Sequence, residues 1–353
     1  MDNIGILSNL IGINSIYPNE NDIANYIKDI LKDKIEVNED LYNGRVNLFG
    51  SRGNAKVLFY AHLDTVDSTK DNWHTNPLKA EVVDNRVIGL GASDDKSGLA
   101  NIISLIINTD LPLKFLFCSD EENISEGVWH FINNKKDFFE GVKLIISAEP
   151  SFGFNVSDIT NKRSGRVVFN IAFQGDKKHI MYYKEAKDAI ESFSEFSYKL
   201  YNNRSNFINS VVHVSKVYGE SIGMSICGLV DCDVEALINT PDTIESIRNK
   251  IQQFTNEPVK IKERKTPYLE PYSFDNIENK DTILNIVKEV TGEDAHFISR
   301  TSVADDNVLA LTRIPVLTIG AKGGNEHKAD EFVYIDKLNQ AYNIYKRLLF
   351  LYK

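Results

Sequence analysis

Apolar runs that break off in acidic or histidine side chains are the feature of this chain that most restricts its fold. Lys56-Val57-Leu58-Phe59-Tyr60 reads as a buried strand and leads directly into Ala61-His62-Leu63-Asp64. The run at 113–117 stops at Cys118-Ser119-Asp120-Glu121-Glu122, and the run at 142–146 stops at Ser147-Ala148-Glu149-Pro150. Helical spacing fills the intervals, at 97–107 and again around 128–132. Strands alternating with helices predict an α/β sheet. In open sheets of that kind, the residues just past the strand ends gather on one edge, where ligands bind.

The remaining segments extend this pattern. Residues 4–11 have helical spacing that Gly12 can stop, and a second helix is expected from Asn19 or Asn21 to Leu31, with Asn as its cap. Ile35-Glu36-Val37 and Val46-Asn47-Leu48-Phe49 alternate like strands, followed by a turn at 50–54. A strand pair is expected at 81–83 and 86–89. The texture changes near Lys162. A strand at 166–173, a helix at 185–200, strands at 211–217 and 226–234, a helix at 243–254 capped by Thr240 or Asp242, and a last strand at 259–261 make a βαββα module. Alternation resumes with a helix at 281–290, a strand at 314–320 and a C-terminal helix at 336–352. The expected organisation is a catalytic α/β domain of residues 1–162 and 275–353, with an α+β domain of 163–274 inserted into it.

Composition narrows the function. The 353 residues carry a formal net charge of −10 that is spread rather than blocked, which argues against nucleic acid or an anionic membrane as the main partner. Three cysteines without a paired spacing fit a reducing cytoplasm. The start, Met1-Asp2-Asn3-Ile4, lacks the basic and apolar segments of a signal peptide, and no apolar run approaches the ~20 residues of a spanning helix. A cytoplasmic protein is expected.

The residues at the strand ends point to metal chemistry. His62 and Asp64 are two apart on an extended segment and project to the same side, so the carboxylate can support the imidazole from behind. Such a pair arises by chance often; here the rest of the chain offers further ligands in Asp94, Glu121, Glu122, Glu149 and His327. Two histidines and several carboxylates suit two divalent cations, and one carboxylate can bridge them with its two oxygens. Adjacent Glu121 and Glu122 point apart, so one can bind metal while the other faces substrate as a general base.

Taken together, His62-Leu63-Asp64-Thr65-Val66, Gly91-Ala92-Ser93-Asp94-Asp95-Lys96-Ser97-Gly98, Asp120-Glu121-Glu122 with Ser125 and Gly127, Ala148-Glu149-Pro150-Ser151 and Glu326-His327 follow one another in the order found in a known family. The chain resembles the M20 family of di-zinc metallopeptidases and deacylases, and within it the lysine- and ornithine-biosynthetic deacylases. The resemblance implies a zinc-peptidase-like mixed sheet flanked by helices, with the insert acting as a lid or dimerisation domain. It implies that His62, Asp94 and Glu149 hold one metal and that Asp94, Glu122 and His327 hold the other, with Asp94 bridging. Zinc is the expected metal; cobalt or manganese could serve. Glu121 would be the general base that activates water, Asp64 would orient His62, and the Asp94-Asp95 peptide would be cis. His179, in Gly175-Asp176-Lys177-Lys178-His179, stands where the family has a histidine that steadies the oxyanion in a partner subunit's site, or else is a solvated turn residue.

The substrate side departs from the family. Leu90 occupies the middle of Gly89-Leu90-Gly91, Asp233-Val234-Glu235 replaces an Asp-x-Arg, and Ser302-Val303-Ala304-Asp305-Asp306-Asn307 replaces a Gly-Thr-containing segment. Arg300 could grip a substrate carboxylate or form a surface salt bridge. Arg163 and Arg166 are alternatives, and Asn307 is a further substrate-side candidate. His74, His130, His213 and His296 read as structural or exposed, Cys118 as core, and Phe193, Phe196, Tyr198 and Tyr201 as a packing face. The expected activity is hydrolysis of an amide in a small N-acylated amino acid of the acyl-lysine or acyl-ornithine type, by a possible homodimer paired through the lid. A di- or tripeptidase of the same family and a non-catalytic metal-binding protein on this scaffold are the alternatives.

Overall fold

A computed structural model describes residues 2–353. It divides into two compact units, one of Met1–Asn161, Phe274–Ser299 and Ala304–Lys353, the other of Lys162–Ser273 and Arg300–Val303.

The first unit is built on a mixed sheet. Its strands lie in the order Asn38–Tyr42, Arg45–Arg52, Leu113–Cys118, Val57–His62, Leu144–Ser147, Val316–Thr318, Asp158–Arg163. Val57–His62 is parallel to both Leu113–Cys118 and Leu144–Ser147, and Val316–Thr318 is parallel to Leu144–Ser147. All six residues of Val57–His62 and all four of Leu144–Ser147 are buried, as strands covered on both faces require. Helices Asn3–Ile11 and Lys96–Asn108 pack together on the sheet, and Lys280–Thr291 lies against Ile335–Leu351. Helix Lys96–Asn108 is buried over eleven consecutive residues, Lys96 to Ile106, because it lies inside the layer rather than on its surface. A small antiparallel sheet joins Glu81–Val83, Arg86–Ile88, Phe332–Tyr334 and Gly323–Gly324.

Several expectations shift. The first strand covers Asn38–Tyr42, not 35–37, and its partner runs on to Arg52 through the expected turn, because Gly50 to Arg52 stay paired with Leu113 to Phe115. Helix Asn21–Leu31 has Glu20 at its cap with no side-chain cap bond, since the Glu20 carboxylate is turned to Arg45. Asp158–Arg163 (Asp-Ile-Thr-Asn-Lys-Arg) was invisible to a hydrophobicity pattern because three of its four buried residues, Thr160, Asn161 and Arg163, are polar.

The second unit is a four-stranded antiparallel sheet in the order Val211–Gly219, Leu229–Ile238, Gly165–Gln174, Lys260–Ile261. Gly165–Gln174 buries alternate residues, and Val167, Phe169, Ile171 and Phe173 form the core with Phe196, Leu200 and Ile247 from helices Ala189–Asn202 and Ile244–Gln252. The first helix starts at Ala189 rather than 185, where the Asp188 carboxylate accepts the Ile190 N–H at 2.8 Å. The second is capped by Thr243, not Thr240 or Asp242. Thr243 and Ser246 each accept the other's backbone N–H, a reciprocal capping box. Phe193 and Phe196 pack into this core, whereas Tyr198 is exposed.

Candidate metal centre and active site

Parallel strands end at the same edge, and that geometry assembles the site. His62 is level with Cys118 in the sheet, and Tyr60 is level with Ser147. Glu121 and Glu122 therefore follow one neighbouring strand and Glu149 the other. Asp94 arrives from the turn before helix Lys96–Asn108, whose N-terminus is capped by the Asp95 carboxylate accepting the Gly98 N–H at 3.2 Å. The Asp94–Asp95 peptide is cis. A Cβ on Gly98 would meet Asp95 Oδ1 at 2.3 Å and the Ala148 Cβ at 2.7 Å, so only glycine lets the helix start this close to the strand.

Two ligand-like groups result. His62, Asp94 and Glu149 form one; Asp94, Glu122 and His327 form the other, and in each the candidate atoms lie within 4.8 Å of one another. Asp94 belongs to both. Its Oδ1 is 2.9 Å from His62 Nε2, and its Oδ2 is 3.1 Å from His327 Nε2. Glu149 Oε1 is 3.6 Å from His62 Nε2, and Glu122 Oε2 is 3.2 Å from His327 Nε2. The other Glu122 oxygen is buried with no hydrogen-bond partner, an orphan that a cation would satisfy. The donor set fits two divalent ions that accept both nitrogen and oxygen.

Asp64 supports the centre from beneath, in two ways. His62 Nδ1 is 2.9 Å from the Asp64 carbonyl oxygen and 3.6 Å from its carboxylate. Donation from Nδ1 to that carbonyl turns Nε2 to face Asp94. The Asp64 carboxylate instead accepts the backbone N–H groups of Glu121 and Glu122, at 3.2 and 3.0 Å. Behind them Asp120, with φ of 79°, accepts the Glu126 N–H at 2.7 Å and takes Arg45 at 2.5 Å; Arg45 also pairs with Glu20 and lies over the Tyr17 ring. Tyr60 donates to the buried Asp305.

So many buried carboxylates repel one another. Burial, then the charge of Glu149, pushes Glu121 well above the usual carboxylate range. Burial and Asp94 raise Glu122. Burial alone would raise Asp94, but its bonds to His327 and His62 hold it below the ordinary value. The same bonds, from Asp94 and then Glu122, lift His327 to about 11. A cation at either group would compete with the protons that these shifts favour on His62 and His327.

The other candidates belong to neither group. His179 is exposed, and its Nδ1 accepts the Met181 N–H at 3.2 Å, so the proton sits on Nε2. Arg300 is buried at the end of strand His296–Arg300. Arg163 donates to Ser302 at 2.9 Å, and Arg166 pairs with Glu235. Asp233 accepts from Lys262 at 2.5 Å and from Asn170 at 3.1 Å. In the first unit, Asn307 accepts the Ala304 N–H at 3.1 Å and so holds the start of the short helix Asp305–Leu309. His74 pairs with Asp330, and His130 stacks on Tyr42. Sequence reasoning passed over Arg45 and Glu331. Arg45 lies on a strand with no motif around it. Glu331 follows His327 by four residues, and that spacing was the only signal for it.

Comparison with known proteins agrees with this geometry. A model of peptidase family M20/M25/M40 matches residues 58–350. The chain belongs to that family and is a hydrolase of amide bonds. It is similar to succinyl-diaminopimelate desuccinylases, with 26% identity over 332 residues to the one from Psychrobacter (86% of this chain, 81% of that one). The desuccinylase from Ehrlichia ruminantium is also 26% identical, over 99% of this chain and 97% of its own. Among solved structures, aminopeptidase PepT from Bacillus cereus superposes with a TM-score of 0.80 at 16% identity, covering 98% of this chain and 97% of that one. These likenesses carry the fold: a mixed sheet flanked by helices, with a separate antiparallel sheet. No helix among the described residues is long and apolar enough to cross a membrane.

Proposed function

We propose that the chain is a cytoplasmic di-metal amidohydrolase that deacylates a small N-acylated amino acid of the acyl-lysine or acyl-ornithine type. The observation that carries the metal assignment is Asp94, with one oxygen toward His62 and the other toward His327. The desuccinylase relatives, which match nearly end to end, support deacylation. The three cysteines are free and buried, in keeping with a reducing compartment.

His62, Asp94 and Glu149 would hold one cation and Asp94, Glu122 and His327 the other, zinc suiting the mixed nitrogen and oxygen donors. The cations, when bound, supply Lewis acidity to the scissile carbonyl and to the attacking water. Glu121 takes the proton from that water as its oxygen attacks the carbonyl carbon. It then delivers the proton to the amine nitrogen as the C–N bond breaks. Asp64 keeps Glu121 and Glu122 in place through their backbone N–H groups. His179, with its proton on Nε2, is the candidate donor to the developing oxyanion, supplied by the partner in a homodimer formed through the 163–274 domain. Arg300 and Asn307 are the candidate substrate-side residues.

The test is metal content and hydrolysis measured together for the wild type and Glu121→Ala, on N-acetyl and N-succinyl amino acids beside di- and tripeptides. Two metals per chain in both proteins, and turnover of acyl amino acids by the wild type alone, is the expected result. Turnover of peptides only would replace the deacylase with a peptidase. Absence of metal from both would remove the ligand assignment. Two metals and no turnover anywhere would leave a binding protein.

A further inference from the structure

The loop that carries Asp94 and the segment that carries His327 are far apart in sequence, yet they are sewn together at one residue. Glu331 is buried, and its carboxylate accepts three backbone N–H groups. Oε2 takes Gly91 at 2.8 Å; Oε1 takes Ser93 at 2.9 Å and Asp94 at 2.8 Å. Its own carbonyl accepts a fourth, from Gly89, at 2.9 Å. One residue thus receives every other N–H from Gly89 to Ser93, and then that of Asp94 itself. A second stitch lies beside it: Ser93 Oγ donates to Glu326 Oε1 at 2.9 Å, next to His327. A buried carboxyl group that meets three amide donors has little freedom to shift. Glu331 stands four positions after His327, so the bonds that fix the Asp94 backbone also fix its distance from His327.

We infer that Glu331 is a positioning residue that sets the spacing of Asp94 and His327, and thereby tunes the cation held by Asp94, Glu122 and His327 in preference to the one held by His62, Asp94 and Glu149. This rests on the two-metal reading above. Two of the three groups around the first cation, His62 and Glu149, follow strand ends that the sheet itself aligns. The second depends on His327, whose segment meets the Asp94 loop through Glu331 and Glu326. Outer groups that orient ligands typically change metal affinity by about 10–100-fold when removed.

The test is Glu331→Gln, read by zinc titration against a competing chelator. Glutamine keeps the shape and one acceptor oxygen, but its amide presents N–H to the Gly91 N–H. Wild type should take two zinc ions. Glu331→Gln should keep one within about threefold of wild type and weaken the other at least tenfold. Adding the change to His327→Ala, which leaves only the first cation, should have no further effect on affinity. Equal weakening of both ions, or wild-type affinity for both, would overturn the inference. So would a further loss in the double variant. If Glu331→Gln does not fold, Ser93→Ala removes only the Glu326 stitch and should weaken the same ion by a smaller factor; an unchanged titration there counts equally against the clamp. A wild type that binds no zinc would instead remove the two-metal reading itself.

Discussion

The two units hold their candidate functional residues in opposite ways. In the first, His62, Asp64, Asp94 and Glu149 are buried, and each is fixed by strand ends, backbone amides or a neighbouring ligand. In the second, His179 stands exposed just before a three-residue turn with one hydrogen bond to its ring, and charged residues of the sheet are already committed: Asp233 to Lys262 and Asn170, Arg166 to Glu235. Metal ligation tolerates little displacement, and the candidate ligands sit where burial and hydrogen bonds fix them. Groups that choose a substrate can change without unfolding anything.

The largest effect should follow from Asp94→Asn, which weakens the shared ligand of both groups. Loss of both metals and of all measurable turnover is expected, checked by metal analysis after desalting; retention of two ions would deny that Asp94 bridges. His179→Ala should lower kcat by about 100- to 1,000-fold with the metals intact, the range for an oxyanion donor. An unchanged kcat would return His179 to the status of a turn residue and leave the second unit with no part in the chemical step. Metal loading should release protons. The cation-free centre holds a proton on His327, raised to about 11 by Asp94 and Glu122, and a cation must displace it. Affinity should therefore rise with pH, and calorimetry in buffers of different ionisation heat should count the released protons; no dependence on buffer would contradict the ligand set. Arg166→Ala should do least. Its pair with Glu235 is solvent-exposed, so stability should stay within about 0.5 kcal/mol of wild type in a denaturant titration.

Much of the first unit was legible because its signal is local. Val57–His62 and Leu144–Ser147 are short apolar runs with polar stops, and a parallel sheet brings such stops to one edge without further information. The strand Asp158–Arg163 was not legible, since polar residues fill its buried positions and its pairing with Thr318 is long-range. The same limit hid Glu331 and Arg45. Their partners, Gly91 to Asp94 for one and Glu20 with Asp120 for the other, are set by folding rather than by spacing. Asp64 was legible as support for His62, but its carboxylate serves the Glu121 and Glu122 amides, a division that needs coordinates. The caps at Glu20 and Thr243 moved by one or more residues, because several polar side chains stood within reach and packing chose among them.

The Arg45 network has a consequence for anyone who would move this centre to another scaffold. The turn bearing Glu121 and Glu122 is held from one side by Asp64 and from the other by Asp120, and Asp120 is held by Arg45, which is itself gripped by Glu20 and covered by Tyr17. A transplant of the loops that bear the candidate ligands alone would leave Asp120 as a buried acid without its counter-charge. The smallest portable unit therefore includes the segment before helix Asn21–Leu31 and the second strand, neither of which touches the reaction.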